Sequence, residues 1–171
     1  EVVKIRDLWI DIGVRDRDEA KSLVDVGAPG VIDYQFQRLQ DDIVAARGFD
    51  DKVGGFVVLE AARKLSRLNP SAEIHAVATV QEEVGLRGAQ TSAFGIDPDI
   101  GIAVDVGFAT DTPLMEKVRR KAGDVEIGKG PIISRGPNIN PGLFQRFLEV
   151  SKEREIPYQL VSAPGGTGTD A

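Results

Sequence analysis

Ile74-His75-Ala76-Val77-Ala78-Thr79-Val80 is an apolar, β-branched run that stops at Gln81-Glu82-Glu83-Val84-Gly85-Leu86-Arg87-Gly88. The run reads as a buried strand with two glutamates at its carboxyl end. Adjacent carboxylates leaving a buried strand repel each other and lose hydration, so a compensating charge is expected. A metal ion is the usual source of that charge. Working outward, Ile100-Gly101-Ile102-Ala103-Val104 is a second apolar run, and it ends on Asp105. Asp50-Asp51 follows a third apolar stretch. Three acidic positions at the mouths of apolar segments resemble a shell of hard oxygen ligands. In open α/β sheets, sites form outside the carboxyl ends of the strands.

The rest of the chain alternates in the same way. Asp7 to Gly13 alternates polar and apolar residues and suits a half-buried strand. Asp16 reads as an N-cap with Glu19 at the third helical position, opening a helix that runs to about Val26 and stops at Gly27. Val31 to Phe36 and Ile43 to Ala46 are short strand candidates with no helix between them, a β-rich piece distinct from the chain beyond Asp50. Val53 to Leu68 carries apolar residues at helical spacing, with Arg63, Lys64 and Arg67 in its last turns, and Asn69-Pro70 breaks it. Gly54-Gly55 near its start cost about 1 kcal/mol each relative to alanine, which suggests close approach of something there. Leu86 to Phe94 reads as helix. Thr112 to Gly123, with Arg119-Arg120-Lys121, reads as an exposed excursion. Pro131 to Ser134 is a strand, Pro141 to Glu153 a helix opened by proline, and Tyr158 to Ser162 a strand. This order predicts an α/β fold, a mostly parallel sheet flanked by helices.

The composition narrows the function. With 171 residues, the chain is long enough to bury a core. A formal charge of −6 argues against a nucleic-acid surface. No apolar run reaches the ~18 residues of a membrane span. No signal-peptide pattern opens the sequence, which starts at Glu1, and a cytoplasmic location is expected. The absence of cysteine excludes disulfides and thiolate metal sites. A single histidine, His75, is a sharp constraint, because dinuclear hydrolase sites mix imidazole with carboxylate. His75 lies within a strand pattern and reads as a packed or edge residue, and Trp9 as core or interface packing.

Several motifs then resemble one family. Phe49-Asp50-Asp51-Lys52-Val53-Gly54, Ala78-Thr79-Val80-Gln81-Glu82-Glu83-Val84-Gly85-Leu86-Arg87-Gly88-Ala89 and Ala103-Val104-Asp105-Val106 are similar to motifs of the tetrahedral (TET) dinuclear-metal aminopeptidases. Gly128-Lys129-Gly130-Pro131, Ile156-Pro157-Tyr158-Gln159 and Gly165-Gly166-Thr167-Gly168-Thr169-Asp170-Ala171 resemble its later motifs, in the same order and spacing. The resemblance implies a metallo-aminopeptidase that removes N-terminal residues from short peptides and uses two divalent ions, zinc or cobalt, per site. It implies that Asp50 bridges both metals, Glu82 is the general base, and Glu83 and Asp105 are terminal ligands. Asp51 would be structural or would support the ligands from behind. The loop from Gly165 to Asp170 would line the substrate pocket.

The resemblance also implies dimers that assemble into a tetrahedral dodecamer, with no nucleic-acid or membrane partner. Residues 1–46 would be the end of an inserted β-rich dimerisation domain and the return from it. Residues 47–171 would be a partial catalytic domain. The family supplies two histidine ligands, one upstream of the insert and one near the C-terminus, and neither has a counterpart here. The chain is therefore expected to be an internal piece that binds metal weakly and turns over little or nothing alone. The rival expectation is a noncatalytic, carboxylate-lined module that binds Mg²⁺ or Ca²⁺ and serves assembly, since oxygen-only ligands suit hard cations.

Overall fold

The computed structural model describes residues 3–170. Glu1 and Val2 of the N-terminal unit, and Ala171 at the end of the glycine-rich motif, lie outside the described residues. Nine elements follow one another: α1 (Arg17–Leu23), β1 (Gln37–Arg38), β2 (Val44–Ala45), α2 (Phe49–Leu65), α3 (Arg87–Ile96), α4 (Glu116–Ala122), β3 (Ile132–Arg135), α5 (Pro141–Glu153) and β4 (Gln159–Ser162). Single 3-10 turns cover Ile5–Asp7 and Glu82–Val84.

Local chemistry explains where the helices start. Asp16 caps α1 by accepting from the backbone N–H groups of Asp18 and Glu19. The Glu19 carboxylate reaches back to the N–H of Arg15, 2.9 Å away, one residue beyond the N-cap amide that the sequence pattern predicts. Asn140 caps α5 through the N–H groups of Gly142 and Leu143, with Pro141 in the first turn, where its missing N–H costs nothing. Asp51 accepts from the N–H of Gly54 at 2.9 Å at the start of α2. A Cβ on Gly54 would collide with that Asp51 carboxylate, which is the close approach that the paired glycines suggested, whereas Gly55 has open space around it.

The packed part of the molecule is C-terminal. β3 and β4 pair in parallel, with Ile132 opposite Gln159 and Arg135 opposite Ser162. α5 lies against β3, and α4 against β4. Val125 and Phe144 are the buried apolar side chains, and the Arg135 guanidinium covers the Phe144 ring at 5.5 Å. Buried Thr110 is tied to Val125 by its own N–H (2.7 Å) and by its hydroxyl, which accepts from the Val125 N–H at 2.8 Å. The Gln159 side chain donates to the carbonyls of Glu126 and Gly130 and accepts from the Glu126 N–H, clamping the turn before β3 to β4.

The N-terminal and middle regions differ from the sequence expectations. Asp7 to Gly13 and Val31 to Phe36 form no strand, and the only early ladder among the described residues is the antiparallel pair β1–β2. Ile74 to Val80 and Ile100 to Val104 run without a ladder partner among the described residues. A strand is stabilised by its neighbour, and hydrophobicity alone cannot supply one. The supposed excursion at Thr112 to Gly123 contains the exposed helix α4. Trp9 is 80% exposed rather than core. The total exposed surface is 14687 Å², whereas a compact chain of this length exposes about 8,200 Å². No helix among the described residues is long and apolar enough to cross a membrane.

Candidate functional site

The acidic residues come together around the turn that carries the glutamate pair. Gln81 (φ 60°) precedes it and Leu86 (φ 56°) follows it, both left-handed although neither is glycine. Such residues cost about 1–2 kcal/mol each and persist only where surrounding contacts fix them. Those contacts are backbone bonds, joined by the Arg87 guanidinium donating to Gln81 Oε1 at 3.2 Å. The N–H groups of Gly85 and Leu86 donate to the Glu82 carbonyl, and the Gly88 N–H donates to the Val80 carbonyl at 2.9 Å. A Cβ on Gly88 would run into the Val80 backbone, so α3 can begin against this segment only with glycine there.

Glu82 is half-buried and Glu83 is exposed. Partial burial raises the Glu82 carboxyl above the ordinary glutamate range, and Glu83, Asp105, Asp170 and Asp50 push it in the same direction. Burial also raises Asp51; the hydrogen bond from Gly54 opposes this, while Asp105, Asp50 and Asp170 add to it. Four acidic positions, Asp50, Glu83, Asp105 and Asp170, each from a separate segment, therefore lie within electrostatic reach of Glu82 or Asp51. Asp50 precedes Asp51 across a cis peptide bond at the start of α2, and Asp105 accepts from the Val106 N–H at 2.7 Å.

The expected ligands Asp50, Glu83 and Asp105 share this neighbourhood with the expected base Glu82. No three acidic, histidine or cysteine side chains among the described residues are close enough together to hold a metal ion. His75 is exposed and pairs with Glu73 through Nε2 at 2.9 Å, outside any strand, rather than packed in one. The Arg119-Arg120-Lys121 cluster sits on exposed α4, with Arg119 paired to Asp124 at 3.3 Å.

The sequence gives no individual role to two residues that meet here, Thr79 and Asp170, although Asp170 ends the loop expected to line the substrate pocket. The Thr79 hydroxyl donates to Asp170 Oδ2 at 2.5 Å, and Asp170 Oδ1 is buried without a hydrogen-bond partner. An orphaned buried carboxylate oxygen beside an acidic cluster is what a missing cation or donor would satisfy, so this donor set fits a positively charged guest.

An α/β chain with carboxylates converging at the ends of its apolar segments falls among the α/β peptidases in its solved structural likenesses. It is similar to the TET aminopeptidase of a marine-sediment Thaumarchaeota archaeon, with 35% identity and a TM-score of 0.82 over 100% of this chain and 49% of that one. It is similar to the Pyrococcus horikoshii TET1 peptidase, described as assembling into a tetrahedron or a large octahedral shell, with 32% identity and a TM-score of 0.70 over 94% of this chain and 47% of that one. The chain belongs to the M42 glutamyl aminopeptidase family, whose model matches residues 1–171. Among curated relatives, it is 42% identical to the lysyl aminopeptidase of Pyrococcus furiosus over 95% of this chain and 45% of that protein. It is 39% identical to a putative aminopeptidase of Acetivibrio thermocellus, over 98% of this chain and 49% of that protein. The chain spans about half the length of the curated relatives it matches.

Proposed function

We propose that this chain carries the carboxylate half of a metal-dependent aminopeptidase site that removes N-terminal residues from peptides. The observation that supports it most directly is the convergence of Glu82, Glu83, Asp50, Asp51, Asp105 and Asp170 in one neighbourhood of net negative charge. Membership of the M42 family supports the same reaction class. In this reading Asp50, Glu83 and Asp105 would hold the ions, and two histidines of the longer polypeptide would complete the shell. Two bound divalent cations, zinc or cobalt, would lower the pKa of a water and polarise the scissile carbonyl. Glu82 takes the proton from that water and returns it to the leaving amine. Asp51 is already engaged by Gly54 and braces the start of α2 behind Asp50.

Residues 1–46 then return from an inserted domain and 47–171 form part of the catalytic domain. Ile74 to Val80 and Ile100 to Val104 pair with strands contributed by the remainder of the polypeptide, which accounts for their exposure here. Self-association into dimers and a tetrahedral dodecamer belongs to the same proposal, and the P. horikoshii relative, described as assembling into a tetrahedron or a large octahedral shell, supports it.

The test is peptidase activity with added Zn²⁺ or Co²⁺, on these 171 residues and on a polypeptide extended to the length of the relatives. Activity confined to the longer form and abolished by Glu82→Gln is expected. A longer form that binds Mg²⁺ or Ca²⁺ in preference to Zn²⁺ and cleaves no peptide would replace this reading with a cation-binding assembly module.

A further inference from the structure

The loop from Gly165 to Asp170 is the one part of the acidic neighbourhood that the proposed reaction leaves without a task. The Thr79 hydroxyl ties it to the site by donating to Asp170 Oδ2 at 2.5 Å, joining positions 91 apart in sequence. Thr79 lies three residues before Glu82, so the bond fixes the Asp170 carboxylate beside the glutamate turn. Oδ1 of the same carboxylate is buried and accepts no hydrogen bond. No lysine or arginine pairs with Asp170 among the described residues. Burying an ionised oxygen without a donor is unfavourable, so a donor from outside this chain fits the position.

We propose that Asp170 receives the α-ammonium group of the peptide substrate, with Thr79 as the positioning residue that aims it. This rests on the aminopeptidase reading above. A peptidase confined to chain ends must distinguish a free amino terminus from an internal peptide nitrogen. That difference is one positive charge and up to three N–H donors. A buried carboxylate oxygen, held still by a hydroxyl on its sibling oxygen, matches such a group and disfavours a neutral amide. An ammonium there also offsets repulsion, since Asp170 adds to the negative field on Glu82 and Asp51. An ammonium at Asp170 would put the first peptide bond of the substrate in the neighbourhood of Glu82, which is the bond an aminopeptidase cuts.

The test uses the metal-loaded polypeptide at the length of the relatives and two inhibitors with the same chelating head. Leucine hydroxamate carries the α-amino group, and 4-methylpentanoyl hydroxamate lacks it. The unsubstituted protein should prefer the amino compound. Asp170→Asn keeps an acceptor for Thr79 and removes the charge. It should cut that preference by about tenfold or more, the worth of one charge-assisted hydrogen bond. Binding of the des-amino compound and zinc affinity, measured by competition with a chromophoric chelator, should not change. Thr79→Val should raise KM more than it lowers kcat, and Thr79→Ser, which retains the hydroxyl, should restore it. Full retention of the preference in Asp170→Asn overturns the proposal. So does equal weakening of both inhibitors together with zinc, which would make Asp170 part of the metal shell. If the unsubstituted protein binds neither inhibitor, the aminopeptidase reading falls and takes this one with it.

Discussion

The segment from Thr110 to Ser162 closes on itself, and the segment from Asp50 to Asp105 does not. In the first, a parallel ladder, two helices and the Gln159 clamp satisfy one another, and among the described residues the buried side chains, Val125, Phe144, Thr110 and Ser151, all lie there, whereas the second segment buries only Gly54 and Gly88. In the second, apolar runs at 74–80 and 100–104 have no ladder partners among the described residues, and carboxylates crowd at their mouths. The contrast teaches that apolar burial and ladder pairing hold the first segment, whereas the second holds its acidic groups against their own repulsion. Such a place gains from a positive guest and from further protein around it.

That contrast can be broken at its strongest point first. Glu82→Gln should lower peptidase turnover in the extended polypeptide by about 10²–10⁴-fold, measured as kcat, with unchanged zinc affinity. If turnover persists, the acidic segment is not the reactive one. Phe144→Ala should remove about 3–5 kcal/mol of stability, read from denaturant unfolding. Its effect on amide exchange should be confined to residues 110–162; equal deprotection of residues 50–105 would mean that the two segments fold as one. Asn140→Ala should cost about 1 kcal/mol in the same unfolding experiment, since it strips two N–H groups on a packed helix of their acceptor. Asp16→Ala, at the start of exposed α1, should leave the global midpoint unmoved, because α1 buries no residue.

The smallest effect concerns pH. Asp51 is raised in the folded state, mainly by burial, so its favourable contribution is complete below the ordinary aspartate range and is lost as pH rises through the raised value. Asp51→Asn keeps an acceptor for Gly54 and removes the charge. The melting midpoint of chelator-treated Asp51→Asn should therefore gain on the parent as pH rises from the ordinary aspartate range upward. A gain that shrinks with rising pH would reverse the sign and remove repulsion from the account.

Much of the closed segment was legible in the sequence, because its signals are local. Asn140-Pro141 marks a helix start wherever it sits, and α5 begins and ends where the pattern places it. Ile132 to Arg135 and Gln159 to Ser162 are strands because each finds the other within this chain. The runs at 74–80 and 100–104 carry equally strong patterns, yet a ladder needs a second strand. α4 escaped notice because it has no apolar stripe to betray it; its Glu116, Arg119 and Arg120 face water. The acidic positions were legible as a set, but nothing in the residues around Thr79 points to Asp170. That partnership exists only once the chain has folded back across 91 positions.

The turn at Val80–Gly88 is closed by main-chain bonds and by the Arg87 guanidinium, which donates to Gln81 Oε1 at 3.2 Å, and neither glutamate side chain is among those bonds. Its shape is thus indifferent to what residues 82 and 83 carry. A lineage could lose the reaction by one substitution there and keep an intact scaffold. Fold likeness between two such chains is therefore no warrant that both are enzymes, and the identity of residue 82 is the first thing to read.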